Sequence, residues 1–426
     1  MTTLIKDAAV VLPNGKTQEN DIVIEGNKIT SIGKAPADLK ADNVINAKGK
    51  LAVPGFVNAH THASMTLLRS YADDMNLMDW LNNMIWPIEA KMRKKDIYAG
   101  AMLAAVEMIK TGTTTFADMY GDMEQVAQMT IESGLRGVLS RGIIGVAPNG
   151  EQAFKENKEL FDNYHGSADG RITVMFGPHA PYTCPPDFLR RVAEAAKARK
   201  ADVHIHLSET KGEVDDCLKN YGKTPMEIME DTGIFDCGTL GAHCVWLSDK
   251  DIEIMAKHNV RVAHNPGSNM KLASGIAPVP QLLKAGVCVG LGTDGASSNN
   301  NLDMLEEIRL AALLHKVNTL DPLAVPAFEA LKMGTEYGAK AVGLENLGRL
   351  EEGAIADITL FDMSGYAWQP KFDLISLLVY SAPSNSADTV IVDGRVLMEK
   401  GELKTLDEEK ILHEANACAM DLVNRG

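Results

Sequence analysis

A (β/α)8 TIM barrel of the α/β class, carrying a small β-sandwich built from both chain ends, is the fold this sequence predicts. Three observations point to it. The two ends of the chain are alike, each reading as alternating strands about a tight turn. Between them, short β-branched runs alternate with amphipathic stretches, the pattern of a parallel sheet with crossover helices. Those runs number eight within about 300 residues, the size of one closed barrel. The expected division is residues 1–54 plus 348–426 for the composite sandwich and 55–347 for the barrel.

The terminal strands come first in the argument. Asp21-Ile-Val-Ile-Glu-Gly-Asn-Lys-Ile-Thr-Ser-Ile alternates apolar and polar residues about Gly-Asn, and Asp388-Thr-Val-Ile-Val-Asp-Gly-Arg-Val-Leu-Met does so about Asp-Gly. Both are hairpin signatures. Residues 348–362 add two further short strand signals. The barrel runs are 51–58, 113–118, 136–141, 172–177, 203–207, 239–242, 260–264 and 287–293, with helix signals between them at 98–110, 186–199, 225–231 and 249–258. Strand order is not readable from one sequence, so a doubly wound open sheet stands as the alternative.

Composition narrows the function. The net charge of −15 opposes binding to nucleic acid or to an anionic membrane surface. No apolar stretch approaches a bilayer span, and the N-terminal residues lack the apolar core of a signal peptide. The six cysteines are scattered without a Cys-x-x-Cys pair, as expected of buried apolar thiols in a reducing cytoplasm.

In a TIM barrel the reacting groups gather at the C-terminal strand ends. Read in order, those ends carry His60 and His62, Asp118, Arg141, His179, His206 with Glu209, His243, His264 and Asp294. Most of the eleven histidines fall there, whereas solubility alone would be served by Ser, Lys or Glu. Residues two apart on a strand share a side, so His60 and His62 can grip one ion together. With His206 and Asp294 they make a nitrogen-and-oxygen set suited to one Zn2+ with room for water, Fe2+ or Mn2+ being the alternatives. Zinc lowers the pKa of that water to about 7. Glu209, three residues past His206, is then the proton shuttle. His243 orients the hydroxide and offsets charge on the leaving group, and Asp294 takes the proton of the water. His204 and His264 read as buried supports, and Asp118 as a strand-end turn residue outside the site.

Other motifs are weaker. Gly290-Leu-Gly-Thr-Asp-Gly matches a dinucleotide-binding string, but it comes late and holds Asp294 in its middle. The zinc signatures of small nucleobase deaminases and the His-Glu-x-x-His motif are missing. Met65, Met75, Met78 and Met84 with Leu67, Leu77 and Leu81 read mostly as core, though flexible methionines also suit a pocket wall.

The run Val-Pro-Gly-Phe-Val-Asn-Ala-His-Thr-His (residues 53–62), together with His204-Ile-His-Leu-Ser-Glu209, Gly241-Ala-His243 and Gly292-Thr-Asp294-Gly, resembles the metal-dependent amidohydrolase superfamily. So does the closing Gly-x-Leu-x-x-Gly-x-x-Ala-Asp element at 348–357. Residues 67–81 and Ile85-Trp-Pro-Ile-Glu89 look more specifically like the 5'-methylthioadenosine/S-adenosylhomocysteine deaminases. That resemblance covers essentially the whole chain. It implies one zinc ion on His60, His62, His206 and Asp294, with no bridging lysine at the end of the fourth strand. It also implies that Glu89 holds the ribose hydroxyls while Arg141 and His179 line the nucleoside pocket, with Glu209 and Asp294 at the base. The implied activity is deamination of 5'-modified adenosines to inosines and ammonia; 5'-deoxyadenosine and adenosine are further candidates. Deamination or dechlorination of another purine or triazine ring is the nearest alternative, and a catalytically dead scaffold a remote one. The expected partner is a small nucleoside, with the chain forming a homo-oligomer.

Overall fold

The computed structural model describes residues 1–425. Eight parallel barrel strands follow one another in chain order: Phe56–His62, Thr113–Tyr120, Arg136–Ile143, Ile172–Pro178, Val203–Leu207, Thr239–His243, Arg261–His264 and Cys288–Leu291. The eighth pairs with the seventh, and its continuation, Asp294–Gly295, pairs with Thr61 and His62 of the first. The sheet therefore closes on itself, and the open-sheet alternative falls. Glycines allow the closure. A Cβ at Gly292 would stand 2.7 Å from the His60 backbone nitrogen, and one at Gly290 would stand 2.9 Å from the Cα of Gly338. The Gly-x-Gly-x-x-Gly string thus serves close packing of strand eight, not phosphate binding.

Helices cover the barrel as their patterns require. Pro186–Arg199 opens with proline at its first turn and buries Phe188, Leu189, Val192, Ala193 and Ala196, a stripe at helical spacing. Thr224 and Ser248 cap Pro225–Thr232 and Asp249–Lys257 with reciprocal capping boxes.

The termini build one mixed nine-stranded sheet. Its alternation divides two cores. Ala52, Ile358, Leu360 and Ile391 join Ile5, Ile22, Ile24 and Ile29 inside the terminal unit, while Leu51, Val53, Phe361 and Val390 pack toward the barrel. The two predicted hairpins form, and they meet turn to turn: Asn27 Nδ2 donates to Asp393 Oδ1 at 3.1 Å. Buried Arg136, at the start of the third barrel strand, forks onto Asp357 and Asp393 and ties this unit to the barrel.

Three expectations need correcting. The apolar run 51–58 is two strands, not one. Lys50–Pro54 belongs to the terminal sheet, and the chain breaks at Gly55, where a Cβ would sit 2.1 Å from Thr114. Within 348–362 only Ile358–Asp362 is a strand; Ile355 makes a lone bridge to Lys28, because the Glu-Glu-Gly turn precedes it. The last stretch, Glu408–Val423, is a helix seated on the barrel helix Lys94–Lys110, where Arg425 forks onto the buried Asp96. No helix among the described residues is long and apolar enough to cross a membrane.

Candidate active site

The predicted residues converge at the C-terminal mouth of the barrel. His60 and His62 end the first strand, His206 lies near the end of the fifth, His243 ends the sixth, and Asp294 continues the eighth. The backbone bends sharply at three of these exits. Ser208, His243 and Asp294 hold left-handed φ values of 51°, 72° and 62°, a conformation that non-glycine residues seldom adopt and that turns each chain inward over the barrel.

Proton accounting shows what the cluster presents. The Ser140 hydroxyl donates to the Asp118 carbonyl, so its oxygen accepts from His204 Nδ1, 3.1 Å away. His204 Nε2 is then bare and accepts from His60 Nδ1 at 2.8 Å. His62 Nδ1 donates to the Met119 carbonyl at 2.6 Å, and His206 Nδ1 to that of His179 at 2.7 Å. In their neutral forms the three imidazoles are each thereby left with a lone pair on Nε2. These atoms face one another and a carboxylate. His62 and His206 are 3.4 Å apart at Nε2, and Asp294 Oδ1 lies 3.2 Å from His62 Nε2 and 3.4 Å from His60 Nε2. His60 Nε2 is buried with no hydrogen-bond partner. His60, His62 and His206 bring three ring nitrogens within 4.8 Å of one another, and His60, His243 and Asp294 do the same with two nitrogens and an oxygen. Acceptors so close repel unless a cation stands among them, and this donor set of imidazole and carboxylate fits a divalent borderline metal.

The surroundings hold these groups in place. Asp294 Oδ2 accepts from Ser268 at 2.7 Å and Ser298 at 2.9 Å, leaving Oδ1 for the histidines. Burial opposes the charge of Asp294, and the two serine hydroxyls on Oδ2 offset part of that cost. Burial likewise dominates at His60 and lowers it to about 4, so it stays neutral, as a ligand must. Asp118, read as a turn residue, is buried instead: its Oδ1 accepts from Thr61 and from the Ala63 amide and anchors the chain just beyond His62. His264 packs against His315, with Nε2 atoms 3.2 Å apart.

A cavity of about 400 Å³ opens over this cluster. His62, His206, His243, Glu209, Asp294, His179, Arg141 and Glu89 all line it, with His60 buried beneath. Glu209 Oε2 lies 3.8 Å from His243 Nε2, and His243 Nδ1 lies 2.9 Å from Asn269 Oδ1. Burial is the main influence on Glu209 and raises its carboxyl above the usual range. His179 Nδ1 meets Thr183 Oγ1 at 3.0 Å, and burial lowers His179 to about 3. Arg141 is engaged by Glu156 at 2.8 Å and by the Gly142 carbonyl. Glu89 accepts from the Tyr120 hydroxyl and forms no ion pair among the described residues, and burial raises its carboxyl. The apolar wall comes from Met65, Leu77, Trp80, Leu81 and Trp86, so part of the methionine and leucine set does face the pocket.

Sequence reading missed Tyr120 because it ended the second strand at Asp118, two residues early. It also missed Ser268 and Ser298. The signal was there for Ser268: the run His264-Asn-Pro-Gly-Ser-Asn is polar yet directly follows a buried strand.

Comparison with known proteins agrees with this geometry. The model of the amidohydrolase family matches residues 51–397. A 5-methylthioadenosine/S-adenosylhomocysteine deaminase from Pelotomaculum thermopropionicum is 52% identical with full coverage of both chains, and one from Syntrophomonas wolfei is 49% identical, also over the whole of both. Among solved structures, an adenosine deaminase from Xanthomonas campestris with bound zinc superposes with a TM-score of 0.94 at 32% identity, covering 99% of each chain. The zinc complex of an atrazine chlorohydrolase from Arthrobacter aurescens reaches 0.91 at 26% identity, covering 98% of this chain and all of its own. With its barrel, its cluster of imidazoles and this degree of likeness, the chain belongs to the amidohydrolase family and, within it, to the 5-methylthioadenosine/S-adenosylhomocysteine deaminases.

Proposed function

We propose that this chain hydrolyses the 6-amino group of 5'-modified adenosines, 5'-methylthioadenosine and S-adenosylhomocysteine first among them, using one zinc ion. The observation that carries the proposal is one largely apolar cavity lined both by the imidazole cluster and by the lone carboxylate of Glu89. His62, His206 and Asp294 line it above His60, and so does Glu89, a half-buried carboxylate that accepts from the Tyr120 hydroxyl and forms no ion pair among the described residues. An acceptor of that kind, lining an apolar cavity, asks for neutral donors, and the two vicinal hydroxyls of a ribose supply them.

Bound to His60, His62, His206 and Asp294, zinc supplies a water whose pKa is lowered to about 7. The remaining chemistry belongs to the side chains. Water adds at C6, the C6–N bond breaks and ammonia departs. Glu209, its carboxyl raised above the usual range by burial, gives its proton to the adjacent ring nitrogen and regains one from the water. His243, beside Glu209, orients the attacking water. Asp294 Oδ1 accepts the other proton of the water and passes it to the departing amine, which leaves as ammonia, while Oδ2 stays held by two serine hydroxyls. Arg141 and His179 border the nucleoside. The same reading has the chain work in a reducing cytoplasm as a homo-oligomer, supported by six unpaired thiols and by the exposed apolar side chains of Leu320, Leu323 and Phe372.

The test is ammonia release from methylthioadenosine, S-adenosylhomocysteine, 5'-deoxyadenosine, adenosine and guanine, with metal content measured on the same protein. The expected outcome is turnover of the 5'-modified nucleosides well ahead of guanine by zinc-loaded protein. Preference for guanine, or turnover that persists without metal, would overturn it.

A further inference from the structure

Three helices of this chain open with a Ser or Thr followed three residues later by an acid: Thr210 with Glu213, Thr224 with Glu227, and Ser248 with Asp251. That spacing is the capping-box signature, in which the acid reaches back to the backbone amide of the cap residue. Two of the three behave so. Glu227 accepts from the Thr224 amide and Asp251 from the Ser248 amide, each at 2.9 Å. Glu213 does not. Its own amide is capped by Thr210 Oγ1 at 3.2 Å, but its carboxylate passes over Thr210 and takes the two amides before it, Ser208 at 2.9 Å and Glu209 at 2.8 Å.

The left-handed turn at Ser208 makes this reach available, because it swings two successive N–H groups to the same side. The Ser208 carbonyl is occupied in turn by the amides of Val245 and Trp246, just beyond His243. The peptide that carries Glu209 is therefore gripped on both sides. Glu213 is buried, with no Lys or Arg ion pair among the described residues, whereas the capping acid Glu227 bonds the exposed Lys250. An isolated buried carboxylate is costly, and a neutral side chain could cap a helix as well, so local capping does not account for it.

We propose that Glu213 is a positioning residue for the deamination, its carboxylate clamping the Ser208 and Glu209 amides so that the Glu209 side chain stays between ring and water. This rests on the proposed role of Glu209. Glu213 is neither one of the proposed metal ligands nor a lining residue of the cavity and acts only through the backbone beside it, so its loss is felt in the chemical step.

The experiment is a double-mutant cycle on zinc-loaded protein, with Glu213→Gln placed in the wild type and in Glu209→Gln. Gln turns an NH2 toward one of the two amides and breaks the clamp. Alone it is expected to lower kcat by about 10²-fold while KM and zinc content stay within about threefold of wild type. In the Glu209→Gln background it should change kcat by less than about threefold, because its effect runs through Glu209. Glu227→Gln, an ordinary capping acid, serves as the control and should leave kcat alone. Should Glu213→Gln fail to fold, Glu213→Asp, one methylene short of spanning both amides, enters the same cycle. An unchanged kcat in the single variant, or an equal loss in both backgrounds, overturns the proposal. The wild-type lane is read separately: if it turns over no nucleoside, the proposed function falls, and not the clamp alone.

Discussion

At the metal corner every side chain hangs from a barrel strand and has its outer atom pinned, whereas the apolar wall of the cavity is carried by a run of short turns outside the barrel. That run comprises Ala63–Leu68, Leu77–Asp79, a π-helical turn at Trp80–Ile85 and the short helix Trp86–Glu89. The wide turn has a local cause. Pro87 has no N–H to offer the Asn83 carbonyl, and its ring would crowd that carbonyl in a tight helix, so Trp86 N bonds Leu81 O instead. This segment packs a small core of its own from Leu68, Trp80, Leu81, Ile85 and Ile88, with Leu272 and the C-terminal Leu422. On the proposed reading, the reacting groups stand on barrel strands, while the residues that would recognise the nucleoside stand on a segment outside them that can change without disturbing the strands.

Breaking the rigid side is expected to have the largest effect. Asp294→Asn replaces an anionic ligand with a neutral one among three imidazoles, and chelation removes the ion outright. Both should cost several orders of magnitude in turnover, since water returns toward its bulk pKa. Substrate affinity is the internal control. Binding of a nonreactive nucleoside analogue, followed by fluorescence of Trp80 and Trp86 in the apolar wall, should change little. An equal loss of binding would mean that the two sides are one unit.

On the apolar wall, Glu89→Ala should raise KM for a ribonucleoside with little change in kcat. An acceptor lining an apolar cavity and its donors are worth roughly 1–3 kcal/mol, so the loss in kcat/KM should fall between about 5- and 150-fold. The wild type should lose a similar factor when the substrate lacks its 2'-hydroxyl, and the variant should lose almost nothing further. A variant that still discriminates against the 2'-deoxy nucleoside would remove Glu89 from ribose recognition.

Legibility in the sequence follows the same boundary. His60, His62, His206 and Asp294 could be picked out because strand periodicity fixes which residue stands at a barrel mouth, and histidine is a rare choice there. Tyr120 escaped because an apolar run does not mark its own end, and two residues decided the matter. The wall was legible only as a likeness to known chains. Nothing in the periodicity of 63–89 announces a π turn or brings Glu89 to the Tyr120 hydroxyl. Glu213 was hidden for a different reason: its spacing predicts an ordinary capping box, and only the left-handed turn at Ser208 redirects it. The C-terminal helix buries just Ile411, Ala415 and Leu422, too thin a stripe to stand out between polar residues.

The smallest expected effect tests how far the rigidity of the metal corner extends. Ser140 touches no ligand, yet it fixes the proton on His204 Nδ1 and thereby leaves His204 Nε2 free to accept from His60. In Ser140→Ala that constraint is gone. His204 can then carry its proton on Nε2, which sets two N–H groups against each other unless His60 shifts its own proton to the metal-facing nitrogen. Each zinc-binding event must then reverse the tautomer. Zinc affinity should fall by about 10-fold, the lower end for loss of an outer partner of a metal ligand, while kcat at saturating zinc stays near wild type. Competition titration against a chelator of known affinity measures the first, and steady-state kinetics with added zinc the second. Ser140→Thr, which keeps the hydroxyl, should restore the affinity. If Ala binds zinc as tightly as wild type, the order imposed on the cluster ends at His204 and does not reach the third strand.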